Sequence, residues 1–326
     1  MASRYPFLFL VSLLLLSLGS ISVALLSGSI ALEPAQVWHG LWQPADDLTG
    51  RLIQELRLPR SLAAFTTGGL LALAGCLMQV LVRNPLADPY ILGISGGASV
   101  AALLAMLAGV SGNLLTGSAF IGALAAMLLV FVLSRGPGQW NSNRLLLTGV
   151  VLAAGWGAGI SFILNLSPDS SLHRMMFWLM GDLGFARPGN LPILILGFGL
   201  LAAMLLARQL NVLTRGELVA GSLGIRTESL HLGIYLLASL LTATAVTQAG
   251  SIGFVGLVVP HLIRLLGYHD HRILLPAAAL LGGSLLVLAD TVARTVLAPQ
   301  QLPVGIITAF IGVPLFLYLL YRGARQ

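Results

Sequence analysis

The feature that most constrains this chain is a succession of charge-free, apolar stretches, most of them long enough to cross a lipid bilayer. A membrane helix needs about 20 consecutive, mainly apolar residues, because each residue advances it by only about 1.5 Å. Such stretches occupy residues 5–32, 61–82, 89–134, 145–168, 188–207, 229–263, 273–289 and 295–321. Two of them, 89–134 and 229–263, are too long for one crossing. Each contains a polar, glycine-bearing break, at 109–118 and 248–253. Six single spans and two pairs predict ten transmembrane helices in one all-α, polytopic membrane domain over residues 1–326.

Composition agrees with lipid as the solvent. Hydrophobic residues make up 57% of the 326 positions and charged ones 9%, against about 25% charged in a soluble domain. All 17 basic residues are arginine. A phosphate-binding P-loop needs a lysine in G-x-x-x-x-G-K-[ST], so ATP hydrolysis by the chain itself is not expected. A net charge of +6 would suggest nucleic acid for a soluble protein. Here the arginines fall between apolar runs, where they set membrane orientation, and no nucleic-acid role is expected.

With the N-terminus inside, the inner loops hold Arg4, Arg83, Arg135, Arg144, Arg208, Arg215, Arg226, Arg264, Arg272, Arg322 and Arg325. The outer loops hold Arg51, Arg57, Arg60, Arg174, Arg187 and Arg294. That excess favours both termini in the cytoplasm. The acids run the other way: Glu33, Asp46, Asp47, Glu55, Asp169, Asp182 and Asp290 outside, and Asp88, Glu217, Glu228 and Asp270 inside. The first apolar stretch imitates a secretory signal but exceeds its usual core of about 7–15 residues, and reads as a retained first helix.

The predicted spans carry essentially no mid-depth ionisable group of the kind that carries a coupling ion. Asp290 comes nearest, with Arg294 four residues on, the spacing of a structural pair on one helix face. Gly93–Gly97 and Gly155–Gly159 have GxxxG spacing, which lets helix backbones approach closely in lipid. The single cysteine, Cys76, lies in an apolar run and reads as a small buried side chain. Residues 213–229 form the longest inner polar connection. Leu218, Val219, Leu223 and Ile225 could form its apolar patch, flanked by Arg215, Glu217, Arg226 and Glu228, with Gly221 and Gly224 stopping a long helix. It reads as either a docking helix beneath the membrane or a solvated loop.

His173 precedes Met175, Met176 and Met180, each a conceivable haem ligand, and His261, His269 and His271 cluster near one inner helix end. Only Asp270 stands by to support a metal there, so no metal site is expected.

Five blocks resemble one family: RLPRSLAAFTTGGLLALAGCLMQ (57–79), RNPLADPYILGISGGAS (83–99), RLLLTGV (144–150), GSIGFVGLVVPHLIRLLGYHDHRILLP (250–276) and LPVGIITAFIGVPLFLYLL (302–320). In that order and at this length, the chain is similar to the FecCD-type permeases of ABC importers for cobalamin, ferric siderophores and haem. The resemblance implies the type II ABC importer permease fold, a homodimer with its path on the two-fold axis, two cytoplasmic ATPase subunits, and a periplasmic binding protein. It implies no cofactor on this subunit, with ATP and Mg on the ATPase, and a bacterial inner-membrane location.

Residue by residue, the resemblance makes Arg57, Arg60 and Arg294 docking contacts for acidic residues of the binding protein, though outer-interface anchoring or intrachain pairing would serve them as well. Leu86 matches one cytoplasmic gate, and Ser142 with Asn143 the other, Asn143 departing from the small hydroxyl residues common there. Arg215, Glu217, Leu218, Val219, Leu223 and Gly224 match the ATPase-coupling element. An ion-coupled transporter without an ATPase is the alternative; a membrane enzyme lacks a convincing polar cluster. Family breadth puts ferric siderophore first among the expected cargoes; cobalamin follows, because the length and short loops resemble the cobalamin permeases, and haem comes third.

Overall fold

The computed structural model describes residues 5–28, 32–42, 48–134, 142–186 and 189–323, and among them only helices and turns occur. Arg4, Arg135, Arg187, Arg325, Asp46 and Asp47, which entered the orientation argument, lie outside these residues, as does the side chain of Ser142. The helices are α1 (Pro6–Leu26), α2 (Pro34–Trp42), α3 (Leu48–Arg51), α4 (Leu58–Leu81), α5 (Ile94–Leu107), α6 (Asn113–Ser134) and α7 (Ser142–Leu166). They continue as α8 (Asp169–Met180), α9 (Leu191–Leu213), α10 (Glu217–Ser222), α11 (Thr227–Ala249), α12 (Val255–Leu265), α13 (His271–Thr295) and α14 (Val304–Gly323).

Among the described residues, seven helices are long and apolar enough to cross a membrane: α1, the continuous run Leu48–Leu81, α6, α7, α9, α11 and α13. Three shorter apolar helices, α5, α12 and α14, stand beside them. Both expected breaks are present. α5 stops at Leu107 before α6 begins at Asn113, and α11 stops at Ala249 before α12 begins at Val255. Gly109 (φ 73°) and Gly250 (φ 69°) take the left-handed backbone angles that close the first helix of each pair.

α4, α11 and α13 form the inner layer; their spanning windows are 89%, 72% and 67% buried, against 11% for α7. α4 packs on α13, α11, α12 and α9, α1 lies on α13, and α5 pairs with α6 and α7. In lipid, apolar character does not drive one helix against another, so close contact depends on small side chains. A methyl group on Gly68 would run into the Gly282 carbonyl of α13, and one on Gly75 into the Gly256 carbonyl of α12. Gly97 and Gly122 do the same for α5 and α6. The expected pair Gly155–Gly159 makes no such contact among the described residues of this chain: nothing lies within 4 Å of a Cβ on Gly155, and Val100 is what approaches one on Gly159.

Residues Leu52–Arg57 form a π-helical turn that runs straight into α4. Pro59 explains it. A proline inside a helix donates no hydrogen bond and crowds the carbonyl four residues back, and a widened turn relieves that crowding. Leu58 N–H accordingly donates five residues back, to the Ile53 carbonyl.

Candidate functional site

The residues expected outside meet one another at one end of α4, and those expected inside meet at the other. At the first end, Arg60 grips Asp290 with two nitrogens: Nε lies 3.1 Å from both carboxylate oxygens and Nη2 2.9 Å from Oδ1. Arg294 closes the other side of the same carboxylate, Nε to Oδ2 at 3.0 Å, the predicted i,i+4 pair. Asp290 is 1% exposed, so its charge is tolerable only because two guanidiniums share it. Arg60 also donates to Gln301 Oε1 at 2.9 Å and lies 3.7 Å from Asp182. Burial pushes the Asp182 carboxyl above its ordinary value, against the Gly184 N–H bond and the Arg60 charge that pull it down.

Arg57 is engaged within the chain. It is 4% exposed, and its Nη1 donates to the carbonyls of Leu25 and Leu26 at 2.6 and 3.2 Å, at the C-terminal end of α1. A cation suits that negative helix end. The guanidinium therefore ties α1 to α4. Arg60 and Arg294 are likewise engaged within the chain, with side chains 15% and 9% exposed. The intrachain pairing left open by the sequence is the arrangement observed.

At the opposite end, α10 spans only Glu217–Ser222, between Gly216 (φ 117°) and Gly224 (φ 77°). Ala220 is buried beneath it, while Leu218 is 91%, Leu223 65% and Val219 41% exposed. Ile225 does not join this patch; it packs against the core. Arg215, just before the helix, donates its N–H to the Val212 carbonyl at 3.0 Å. Glu217 binds Arg83 Nη2 at 3.1 Å and lies 3.7 Å from His231 Nε2 of α11.

The two expected gate stretches adjoin this end. Leu86 sits in the turn after α4, its N–H donating to Asn84 Oδ1 at 2.9 Å. Asp88 N-caps the 3₁₀ turn Pro89–Leu92, accepting from Tyr90 N–H at 2.8 Å. Ser142 and exposed Asn143 open α7. Gly149 of α7 lies so close to the Ile91 carbonyl that no β-carbon would fit. α7, which opens at the second expected gate stretch, thus rests directly on the turn that follows the first.

No metal-binding cluster of His, Cys, Asp and Glu occurs among the described residues. His173 lies against Phe177, ring centroids 4.4 Å apart, on the exposed side of α8, and Met175 is fully buried. They do not converge on one ligand. His271 Nδ1 sits 2.6 Å from Asn211 Oδ1, a structural tie between α13 and α9. Cys76 is buried in α4. Between α4 and α11 the buried polar groups are neutral: Thr67 Oγ1 donates to Gln248 Oε1 at 3.1 Å, with Thr66 3.4 Å from the same oxygen.

Sequence reasoning missed the partners of Arg83, Arg60 and Gln79. Gln79 interrupts an apolar helix, which was a visible signal; Arg264 and the Leu257 carbonyl answer it. Arg83–Glu217 carried no signal, since the two are far apart in sequence.

Residues 13–322 match the model of the FecCD transport family. The chain belongs to that family. Among FecCD relatives, the hemin transport system permease protein HmuU of Yersinia pestis is 41% identical over 332 residues, covering 97% of this chain and 95% of its own. The vitamin B12 import system permease protein BtuC of Salmonella paratyphi A is 37% identical over 310 residues, covering 93% and 94%. A solved structure described as an inward-facing conformation of a metal-chelate type ABC transporter superposes with a TM-score of 0.85 at 32% identity, over 96% of this chain and 98% of that one. Membership of the FecCD family accounts for the long apolar helices and for a short element at one end, α10, that exposes an apolar patch.

Proposed function

We infer that this chain is the membrane-spanning permease subunit of a binding-protein-dependent ABC importer for a bulky metal chelate. The single observation that carries the reading is full-length FecCD membership, with relatives named for hemin and vitamin B12. The cargo proposed here is a metal tetrapyrrole of the haem or cobalamin kind, since those relatives favour it over the siderophores placed first on family breadth.

Ten crossings are proposed, the seven long helices and the three shorter apolar ones, with both termini cytoplasmic and the subunit paired as a homodimer in the bacterial inner membrane. α10 is the docking element for a separate cytoplasmic ATPase. Its exposed Leu218, Val219 and Leu223 offer an apolar face, and the left-handed glycines at each end fix its angle to α9 and α11. ATP-driven closure of two ATPase subunits would shift α10, re-angle the helices beside the gates at Leu86 and at Ser142 with Asn143, and open the path outward; hydrolysis would reset it.

The periplasmic binding protein is assigned to the end that carries Arg60, Arg294 and Gln301. There its carboxylates would be second acceptors for guanidiniums already held by Asp290. Arg57 leaves the docking set and becomes the fastening of α1. Rim ion pairs are worth about 0–1 kcal/mol each and mainly orient the encounter.

The test is the complex with its ATPase in proteoliposomes, presented with its binding protein loaded with haem, cobalamin or a ferric siderophore. ATP hydrolysis and uptake stimulated by haem or cobalamin support the cargo class. Stimulation by the siderophore alone would move the cargo to iron chelates, and no stimulation by any of them would defeat the importer reading.

A further inference from the structure

We propose that Arg83 is a positioning residue that transmits movement of α10 to the gate turn, through its ion pair with Glu217. The inference rests on the permease reading above and names a part of its coupling machinery.

The case starts at the end of α4. Arg83 N–H donates to the Val80 carbonyl and Asn84 N–H to the Gln79 carbonyl, both at 3.2 Å. This is the helix stop whose closing residue sits in the left-handed region, where glycine is usual because a β-carbon is crowded. Here an arginine occupies it, at φ 54°, one of two such non-glycine residues among those described. Backbone strain held where a cheaper residue would serve points to a use for the side chain.

That side chain reaches Glu217, the first residue of α10, at 3.1 Å. Glu217 in turn faces His231 of α11 at 3.7 Å. On the other side, Asn84 follows Arg83 directly, and its side chain and carbonyl fold the next residues back: Leu86 N–H bonds Asn84 Oδ1 at 2.9 Å and Ala87 N–H the Asn84 carbonyl at 3.0 Å. Arg83 therefore joins α10, through its guanidinium, to a hydrogen-bonded turn that contains Leu86 and follows it directly along the backbone. The pair is partly exposed, Arg83 45% and Glu217 32%. Contacts of that kind contribute little to stability and are free to reform as two elements move.

Arg83→Gly separates the structural from the coupling role, because glycine suits the left-handed position better than arginine. In proteoliposomes containing the complex, R83G should unfold at no lower temperature than wild type and retain bound ATPase and ATP hydrolysis. Uptake per ATP hydrolysed should fall about two- to fivefold, the bias one exposed ion pair can give a two-state equilibrium. The charge-exchanged double variant Arg83→Glu/Glu217→Arg should recover more of that ratio than Arg83→Glu alone. An unchanged ratio in R83G, or a double variant no better than the single one, overturns the proposal while leaving the permease reading standing. If no ATPase associates with the wild-type chain, the permease reading itself fails, and this inference with it.

Discussion

Asp290 is a carboxylate that almost no solvent reaches, held between Arg60 and Arg294. An uncompensated ion in that position is far costlier than the pair is stabilising. Asp290→Asn removes the shared anion and leaves two guanidiniums facing each other. It should destabilise the protein by about 3 kcal/mol, the low end of the range for breaking a buried pair because Arg60 retains some solvent. Thermal unfolding in detergent measures it, and a change below about 1 kcal/mol would show that the carboxylate is not the hub of this cluster. The Asp290–Arg294 half of the cluster was legible in the sequence, because i,i+4 spacing puts both on one helix face. The Arg60 half was not, since it joins α4 to α13 across 230 positions. The contact of Arg57 with α1 was not legible for the same reason: its acceptors are backbone carbonyls, which no side-chain pattern announces.

At the scale of elements, α13 begins with a cap that also ties it to α9. Asp270 accepts from Arg272 N–H at 2.9 Å and from Asn211 Nδ2 at 2.7 Å. Burial pushes its carboxyl up, but these two hydrogen bonds and the Arg272 charge together hold it below its ordinary value of 3.8. A depressed carboxylate contributes stability that is present above the ordinary value and is lost as pH falls through the depressed one. Asp270→Asn keeps an accepting oxygen at the cap and cannot titrate. Its stability deficit relative to wild type should therefore shrink as the pH of a detergent unfolding series falls from 6 to about 3; a constant deficit would mean that the charge plays no part. The helices themselves were legible from apolar length, and the breaks at Gly109 and Gly250 from their polar, glycine-bearing surroundings. Which helices pair was not, because helices apolar all round carry no stripe to mark the inner face. The contacts of Gly68 with Gly282 and of Gly75 with Gly256 decide it, and single glycines in a chain with 38 of them do not stand out.

At the scale of the whole molecule, a nearly buried inner layer of α4, α11 and α13 separates two polar ends, one built on Asp290 and one on α10. Among the described residues, the polar contact between α4 and α11 is made by neutral Thr66, Thr67 and Gln248, whereas an ion-coupled cycle would need a titratable group at mid-depth. The permease function proposed above draws its energy instead from a separate ATPase docked at α10. The most direct measurement is uptake into proteoliposomes holding the purified complex, with ATP supplied on the side of α10 and ionophores collapsing every ion gradient. Uptake should require ATP, stop with vanadate, and be indifferent to the ionophores. Uptake by the chain alone, driven by an ion gradient and unaffected by vanadate, would contradict the proposed function.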